Sequence, residues 1–399
     1  MCYTGVRLII ERKGESMRFL HTADLHIGKR VNEFSMLEDQ EYILRQILKT
    51  ADKEQVEAVL IAGDVYDKQV PSAEAVRLFD WFLTQLNSRK LPVFVIGGNH
   101  DSVERLSFGA QIMEESGVYL TQSYDGKVVP VRLEDEYGPV NLWMLPFLKP
   151  AMVKRFFPEQ DIVTYQDALE TVIGHMELNR EERNLLIAHQ FVTGAVTGGS
   201  EDSVEVFVGG VENVDASVFA DFDYVALGHI HRAQSAGGEQ ILYSGTPLKY
   251  SFSEIRHEKS VTIAELKEKG SLTVHQEPLK PLHDMREIRG SYEELVLREN
   301  YQGTDLEDYL HVILTDENDI PDVIGRLRSI YPNIMKLDYD NQRTRRNQEL
   351  MKEEAAVEQS PMELLGQFFS QQNNQEMSPE QTEYARTLME TIRKEEGVE

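Results

Sequence analysis

The chain is almost without cysteine: Cys2 is the only one among 399 residues. A lone cysteine excludes an internal disulfide framework and a thiolate-bound zinc cluster, so any metal has to be held by nitrogen and oxygen atoms. The sequence also lacks an apolar run of roughly 20 residues, the length that crosses a bilayer, and its first sixteen residues lack the apolar core of a signal peptide. These absences predict a cytoplasmic location.

Positive charge is also scarce. The chain has 41 lysine and arginine residues against 68 aspartate and glutamate residues, which gives a formal net charge of −27. A field of that sign repels nucleic acid at long range and favours an enzyme that acts on small substrates. Two bound divalent cations can reverse the field locally, however, and a partner can supply a basic groove. The net charge therefore leaves the substrate open.

The length of the chain and its apolar pattern predict two or three domains. Residues 1–16 end in a polar stretch, and the first strand pattern begins at Met17. We expect this N-terminal extension to be an artefact of the assigned start site. From residue 17 to residue 277, apolar runs alternate with helical patterns such as 38–52 and 72–88, which is typical of βαβ units. This part predicts a large α/β domain.

The remaining segments are shorter and more polar. Residues 278–340 predict a small α+β capping domain, with strands at 284–288, 310–314 and 334–339 and helices at 291–299 and 321–330. Residues 341–399 form a polar linker with two amphipathic segments, 361–371 and 379–394, each opened by a Ser-Pro pair as at a helix start. This C-terminal helical tail either folds back onto the chain's own core or docks onto a partner, and the polar tract before it favours a partner.

Five segments place aspartate, asparagine or histidine directly after an apolar, strand-like run. Their polar residues are Asp24 and His26, Asp64, Asn99 and His100, His189, and His229 and His231. In an α/β sheet, binding residues gather just beyond the carboxyl ends of the strands, so these five segments can converge on one edge. Mixed imidazole and carboxylate ligands suit manganese, iron or zinc.

Each of these motifs alone has an ordinary structural explanation. Asp64 could cap the helix that follows it, and Asn99 with His100, after two glycines, could simply form a turn. His189 by itself is more often a hydrogen-bonded core residue than a metal ligand. Chance production of all five in one chain is improbable, so the set predicts a two-metal phosphoesterase site.

The motifs resemble those of the calcineurin-like metallophosphoesterases. They read Asp24-Leu25-His26, Gly63-Asp64-Val65-Tyr66-Asp67, Gly97-Gly98-Asn99-His100-Asp101, His189 and Gly228-His229-Ile230-His231. Within that superfamily, residues 20–28, 227–231 and 243–247 are similar to the SbcD family of bacterial nuclease subunits, and the similarity runs from residue 17 to the C-terminus. The implied fold is an α/β metallophosphoesterase β-sandwich flanked by helices.

The resemblance also implies two divalent metal ions, expected to be manganese, and a set of site residues. Asp24, His26, Asp64 and His231 would hold one ion, and Asp64, Asn99, His189 and His229 the other, with Asp64 bridging. Paired metals can generate a hydroxide, hold a phosphodiester in line and stabilise charge in the transition state. His100 would act beside the metals as a proton donor or oxyanion stabiliser, oriented by the Asp67 carboxylate.

The implied activity is that of a metal-dependent DNA nuclease subunit. It would act as an exonuclease on double-stranded ends and as an endonuclease on hairpins or single strands, in DNA repair, recombination and replication. Since the sequence has no Gly-x-x-x-x-Gly-Lys-Ser/Thr loop, ATP dependence would come from the SbcC ATPase, bound through the C-terminal helices. Bulky helices over 76–86 and 106–113 serve either the core or a homodimer contact within a heterotetramer, and we favour the homodimer.

Two other functions stay open. A phosphoprotein phosphatase or small-molecule phosphodiesterase of the same superfamily is disfavoured, because Lys68 and Gln69 follow Asp67 where phosphatases usually carry Arg-Gly, and Asp101 stands where they usually carry Glu. A non-catalytic scaffold is disfavoured by the complete set of predicted metal ligands.

Overall fold

A computed structural model describes residues 7–11, 16–192, 213–342 and 344–345, together with separate positions between 362 and 388. The chain divides into two compact units. One comprises Met1–Ile288, Gly303–Val312 and Ile324–Lys336, and the other Arg289–Gln302, Ile313–Val323 and Leu337–Glu399. Most of the predicted tail, 361–371 and 379–394, lies outside the described residues. The start at Met17 and the predicted domain boundaries stay predictions.

The described residues form eighteen strands. In chain order they are β1 (Arg7–Glu11), β2 (Met17–Thr22), β3 (Arg30–Val31), β4 (Phe34–Ser35), β5 (Ala58–Ala62), β6 (Val93–Ile96), β7 (Val118–Leu120), β8 (Val131–Asp135), β9 (Gly138–Met144), β10 (Arg183–His189), β11 (Tyr224–Gly228), β12 (Gln234–Ser235), β13 (Ile241–Tyr243), β14 (Ser260–Leu266), β15 (Leu272–Pro278), β16 (Met285–Gly290), β17 (Tyr309–Leu314) and β18 (Ile334–Tyr339).

The helices connect these strands. They are α1 (Leu37–Lys53), α2 (Ala73–Ser88), α3 (Val103–Leu106), α4 (Ala110–Glu114), α5 (Pro150–Lys154), α6 (Tyr165–Gly174), α7 (Tyr292–Val296), α8 (Arg298–Tyr301) and α9 (Val323–Arg328), with 3₁₀ helices at Ala216–Phe219 and Phe252–Glu254. Within the described part of the chain, no helix is both long and apolar enough to span a bilayer.

Two large sheets give the first unit its architecture. Among the described residues, seven strands take the order β1-β8-β9-β10-β11-β13-β12, and six take the order β15-β14-β2-β5-β6-β7. The run from β2 to β7 in the second sheet is parallel, and so is the run from β9 to β13 in the first. The carboxyl ends of each parallel set therefore lie along one edge. This confirms the predicted α/β β-sandwich.

Burial on both faces explains why these strands are continuous apolar runs. In β5, Leu60 packs in the cluster between the sheets with Phe19 and Ile187, whereas its neighbours Val59 and Ile61 face the opposite side and pack with α1 and α2. In β10, Leu186 likewise turns outward to pack with α6. The sandwich is thus covered by helices on both outer faces.

The prediction for the helices holds best where the amphipathic pattern is long. The predicted helices 38–52 and 72–88 appear as α1 and α2, and the Ser72 hydroxyl caps α2 by accepting from the amide of Ala75. The single helix predicted from Ser291 to Glu299 is wrong, because it is broken at Leu297, which has extended backbone angles. The Asn300 side chain donates to the Glu294 carbonyl at 2.7 Å. In a continuing α-helix that carbonyl would instead accept from the amide of Arg298.

The segments after residue 278 form shorter elements. Among the described residues, β16, β17 and β18 make a three-stranded sheet in that order. Strands predicted at 284–288, 310–314 and 334–339 appear within one or two residues of those bounds. The helix predicted over 321–330 is shorter, since α9 covers Val323–Arg328.

Candidate metal centre

The seven predicted metal ligands come together at the carboxyl ends of neighbouring strands. They follow or end β2 (Asp24, His26), β5 (Asp64), β6 (Asn99), β10 (His189) and β11 (His229, His231). β2, β5 and β6 belong to the six-stranded sheet, and β10 and β11 to the seven-stranded sheet. The site therefore draws on both halves of the sandwich.

The backbone leaves the sheet abruptly at this edge. Asp24, His26, Asp64 and His229 all have positive φ, at 52°, 43°, 48° and 104°. Such angles are uncommon for residues with a side chain and cost of order 1–3 kcal/mol each, so the surrounding structure must hold them. It does so through hydrogen bonds: the amide of Asp24 donates to the Gly63 carbonyl at 3.0 Å, and the amide of His26 to the Asp64 carbonyl at 2.9 Å.

Two glycines leave the space that the site needs. A Cβ atom at Gly98 would lie 2.1 Å from Oδ1 of Asp64, and a Cβ atom at Gly228 would lie 1.8 Å from the Ala62 carbonyl oxygen. Both distances are too short for any side chain. Gly228 therefore lets β11 approach β5 of the other sheet, and Gly98 leaves room for the Asp64 carboxylate.

One group of ligand atoms is formed by Asp24, His26 and His231. All three residues are buried, and one ligand atom from each lies within 4.8 Å of the others. The Nε2 atoms of His26 and His231 are 3.3 Å apart, with their rings edge to face. These are three of the four residues expected to hold one metal ion.

A second group adjoins the first. Ligand atoms of Asp24, Asp64 and His189 lie within 4.8 Å of one another. Nε2 of His189 is 3.4 Å from Oδ2 of Asp64 and 2.9 Å from Oδ1 of Asn99. The same Asn99 oxygen lies 3.2 Å from Nδ1 of His229. All four residues expected for the second ion are therefore neighbours.

The carboxylate of Asp64 faces both groups. Besides its contact with His189, its Oδ2 atom lies 3.9 Å from Nε2 of His26. Its other oxygen, Oδ1, accepts a hydrogen bond from the amide of His100 at 2.9 Å. This position suits a bridging ligand. Asp24 also belongs to both groups, and both of its oxygens accept from the amide of His229 at 3.0 Å.

The electrostatics of these residues fit bound cations. Burial raises the pKa of Asp24 to about 6 and lowers the pKa of His229 to about 3. Burial also acts to lower the pKa of His189, but the negative charges of Asp64 and Asp24 outweigh burial and raise this pKa to about 9. Nδ1 of His26 is buried without a hydrogen-bond partner in the described structure. Buried lone pairs and carboxylates of this kind suit imidazole- and oxygen-binding divalent metals.

His100 lies at the mouth of the site, with a ring that is about one-third exposed. Its ring is 4.9 Å from that of His26, centroid to centroid, and its Nε2 atom is 4.0 Å from Oδ2 of Asp64. Its Nδ1 atom contacts the backbone carbonyl of Asp67 at 3.1 Å. The Asp67 carboxylate, which we expected to orient this ring, instead pairs with Lys29 at 3.1 Å. The contact to the ring comes from the main chain of Asp67.

The sequence reasoning did not identify Asp101 as a support for the site. Its buried carboxylate accepts from the amides of Val65, Tyr66 and Gly98, each at 3.0 Å, and so ties the loop after β5 to the loop after β6. Burial and the nearby charge of Asp64 raise its pKa to about 6. Its position directly after the Asn-His pair was the available signal.

A second missed support lies behind His231. The buried side chains of Glu254 and Lys259 pair with each other, and Glu254 contacts Nδ1 of His231 at 3.2 Å. Both residues lie in a polar stretch without strand or helix periodicity. The sequence offers no signal for this pair.

Comparisons with known proteins agree with this geometry. The calcineurin-like phosphoesterase family matches residues 17–233, and the type 5 capsule protein repressor C-terminal domain matches residues 281–373. The chain is similar to the SbcD subunit of nuclease SbcCD from Staphylococcus epidermidis, with 34% identity over 387 residues that cover 96% of this chain and 100% of that protein.

A second relative and a solved structure resemble this chain to different degrees. The SbcD subunit of nuclease SbcCD from Staphylococcus saprophyticus is 36% identical over 324 residues, which cover 80% of this chain and 84% of the relative. A solved dimetal phosphatase from Danio rerio aligns over 66% of this chain and 96% of its own length, with 14% identity and a TM-score of 0.40. At that score the correspondence is too loose to transfer the role of any residue.

Proposed function

Because this chain belongs to the calcineurin-like phosphoesterases and, within them, to the SbcD family of nuclease subunits, we propose that it hydrolyses phosphodiester bonds of DNA at a two-metal site. The observation that carries the proposal is the convergence of six predicted ligand side chains around Asp64, the seventh. The proposed activity is that of an exonuclease on double-stranded ends and an endonuclease on hairpins or single strands.

Asp24, His26, Asp64 and His231 would hold one ion, and Asp64, Asn99, His189 and His229 the other. When bound, two such ions supply an activated water and stabilise negative charge on the phosphate in an in-line displacement. We propose manganese, since carboxylate, imidazole and amide ligands together suit it. Only two of the seven ligands are anionic, so two divalent cations keep a net positive charge that attracts a phosphate.

His100 is the proposed proton carrier. The Asp67 carbonyl can only accept a hydrogen bond, so Nδ1 of His100 carries a hydrogen and Nε2 is the atom that exchanges its proton at the mouth of the site. The backbone amide of His100 donates to Asp64, so the main chain of His100 is fixed to the same carboxylate that faces both groups of ligands. Nε2 can therefore deliver a proton to the leaving sugar oxygen or stabilise charge on the phosphate.

Local charge beside the site supports a DNA substrate despite the acidic chain. From residue 137 to residue 158 there is no aspartate or glutamate. Lys149, Lys154 and Arg155 in this stretch are exposed, and no ion pair involving them occurs among the described residues. The stretch reaches the site at Phe147, whose amide donates to the Gly97 carbonyl at 2.9 Å.

We define Phe147–Phe156 as the basic strip. The Phe147 ring stands edge-on to His189, with ring centroids 6.2 Å apart, and Phe156 at the other end is partly exposed. Unpaired cations next to exposed rings suit a nucleic-acid strand, because cations neutralise phosphates and rings stack with bases. We propose that DNA leaves the metal centre along this strip.

The proposed partner is the SbcC ATPase. The relatives are named as one component of nuclease SbcCD, which describes a complex. We propose that the C-terminal helices, 361–371 and 379–394, dock onto SbcC. Tyr384 and Leu388, one helical turn apart, are 71% and 50% exposed, which suits an apolar face that a partner covers. A DNA substrate and the single cysteine fit a cytoplasmic location.

We also propose a homodimer, and with SbcC a heterotetramer. Of the bulky residues on α2 to α4, Phe79 and Leu106 are buried in the core, whereas Phe108 and Ile112 are 83% and 77% exposed. Large apolar side chains that are this exposed and four residues apart suit a contact with a second copy. Light scattering of the double variant Phe108→Glu, Ile112→Glu should show monomers where the native chain forms dimers.

One experiment separates the candidate functions. The purified chain is incubated in manganese, with and without SbcC and ATP, on a labelled hairpin duplex and on a small chromogenic phosphodiester. Cleavage of both substrates supports the nuclease, with Asp64→Asn as the inactive control. Cleavage of the small ester alone would favour a phosphodiesterase, and activity on neither would favour a scaffold.

A further inference from the structure

His231 is held from behind by a carboxylate. Its Nδ1 atom lies 3.2 Å from Oε1 of Glu254, whose side chain is completely buried. Because the Lys259 ammonium pairs with Glu254, the carboxylate is ionised and can only accept a hydrogen, so Nδ1 of His231 is protonated and the lone pair resides on Nε2. That Nε2 atom is the one that faces His26 at 3.3 Å.

Lys259 fixes this carboxylate and the main chain of His231 together. Its ammonium group donates to Oε2 of Glu254, to the Thr246 hydroxyl at 2.6 Å and to the carbonyl oxygen of His231 at 2.9 Å. A lysine ammonium has three hydrogens, so all of them are used. Lys259 is itself buried, and the arrangement leaves little freedom to the imidazole ring.

The other histidines of the centre lack this arrangement. Nδ1 of His189 contacts a backbone carbonyl, that of Ala62, at 2.8 Å. Nδ1 of His229 faces Asn99, and Nδ1 of His26 has no partner in the described structure. Among these four histidines, His231 is the one whose Nδ1 contacts a carboxylate that is not itself a predicted metal ligand, and this support acts on one of the two groups of ligands.

We propose that Glu254 is a positioning residue that fixes the tautomer and orientation of His231 for one of the two metal ions, while Lys259 keeps the buried Glu254 carboxylate ionised and in place. The inference rests on the proposed two-metal function. Outer contacts of this kind orient a metal-binding imidazole and raise its basicity, and losing them typically weakens metal affinity about 10- to 100-fold. The effect should fall on the ion held by Asp24, His26 and His231, and it should spare the ion at His189.

Single substitutions would leave one buried charge unpaired and disturb folding, so paired variants are needed. The test variant is Glu254→Leu with Lys259→Met, which removes both charges and the acceptor for Nδ1. The matched control is Glu254→Gln with Lys259→Met, which removes the same charges but keeps an acceptor oxygen. Glu254→Met with Lys259→Leu gives a second apolar pair if the first does not fold.

The measurement is a calorimetric titration of each metal-free protein with manganese, together with the visible spectrum of its cobalt(II) form. We expect the control to bind two ions with affinities within about threefold of the native chain. The apolar pair should lose about 10- to 100-fold affinity at one of the two sites and change the cobalt spectrum of that site. An apolar pair that titrates like the control would overturn the positioning role. A native chain that binds fewer than two ions would instead overturn the two-metal site, and the role of Glu254 with it.

Discussion

The buried charges at the two ends of strand β10 are neutralised in different ways. At its amino end, Arg183 is buried and donates to both oxygens of Asp135 and to the carbonyls of Gly138 and Lys267. At its carboxyl end, six residues later, His189 joins Asp24 and Asp64. A strand of that length spans roughly 20 Å, so the two clusters lie at opposite edges of the sheet.

The difference between the ends is in what neutralises the charge. The guanidinium of Arg183 meets its carboxylate with good geometry and needs nothing from outside the chain. The cluster at the other end combines carboxylates and imidazoles in which burial disfavours the charged forms, raising the pKa of Asp24 to about 6 and lowering that of His229 to about 3. Such a cluster is completed by bound cations. One end of the strand therefore serves stability, and the other serves chemistry.

The largest effect should follow from a substitution among the predicted metal ligands at the carboxyl end of β10. Asp64→Asn removes the carboxylate that faces both groups of ligands, so we expect metal binding to fall and phosphodiester hydrolysis to drop by roughly 10,000-fold. Elemental analysis of metal content and initial rates on the chromogenic ester measure the two losses. Retention of two ions with normal turnover would remove Asp64 from the centre.

A substitution of Arg183, at the amino end of β10, should give the next largest effect, which is a loss of unfolding free energy. Arg183→Met leaves the buried Asp135 carboxylate unpaired, which costs about 3–5 kcal/mol of unfolding free energy. Urea unfolding measures this cost, and the double variant with Asp135→Leu should recover most of it. Under folding conditions the variant should keep its metals and its rate. A loss of activity with normal stability would contradict the division between the two ends.

A substitution of His100 tests the reaction at this site without changing a predicted metal ligand. His100→Ala should keep both metal ions but slow phosphodiester cleavage by roughly 100- to 1000-fold, because the proton carrier at the mouth of the site is lost. Rates are compared at saturating substrate, with metal content measured on the same samples. Near-normal turnover would exclude His100 from the reaction.

The smallest effect should come from the basic strip. Lys154→Ala with Arg155→Ala should lower DNA affinity by about tenfold and reduce the slope of log affinity against log salt by about two, while hydrolysis of the small ester stays unchanged. The matched control is Arg180→Ala with Lys269→Ala, which removes two cations at the amino ends of β10 and β11, where they pair with Asp221 and Asp223. Equal effects of the two pairs would indicate a general charge effect and contradict the proposed path.

The sequence was most informative where one strong rule applied. Apolar runs ending in Asp, Asn or His predicted an α/β domain and the residues at one edge of its sheet, since parallel strands that are buried on both faces must be apolar and must end together. The β-sandwich itself was implied by the family resemblance. The supports behind these residues could not be predicted in this way. The pairing of Glu254 with His231 depends on a loop that follows β13 by several residues and has no periodic pattern.

Two smaller misjudgements have the same origin. Residue type suggested that the Asp67 side chain orients His100, but in the structure the contact comes from the Asp67 backbone, which has no signature in sequence. The break at Leu297 likewise depends on one side-chain hydrogen bond from Asn300 to a helix carbonyl. Helical propensity reports neither of these contacts.

The central claim is that the carboxyl edge of the sandwich holds two neighbouring metal ions. Anomalous diffraction at the manganese edge, from crystals of the native chain grown with manganese, tests it most directly. We predict two peaks on either side of the Asp64 carboxylate, one beside Asp24, His26 and His231 and the other beside Asn99, His189 and His229. A single peak, or none at this edge with the imidazoles turned away, would contradict the claim.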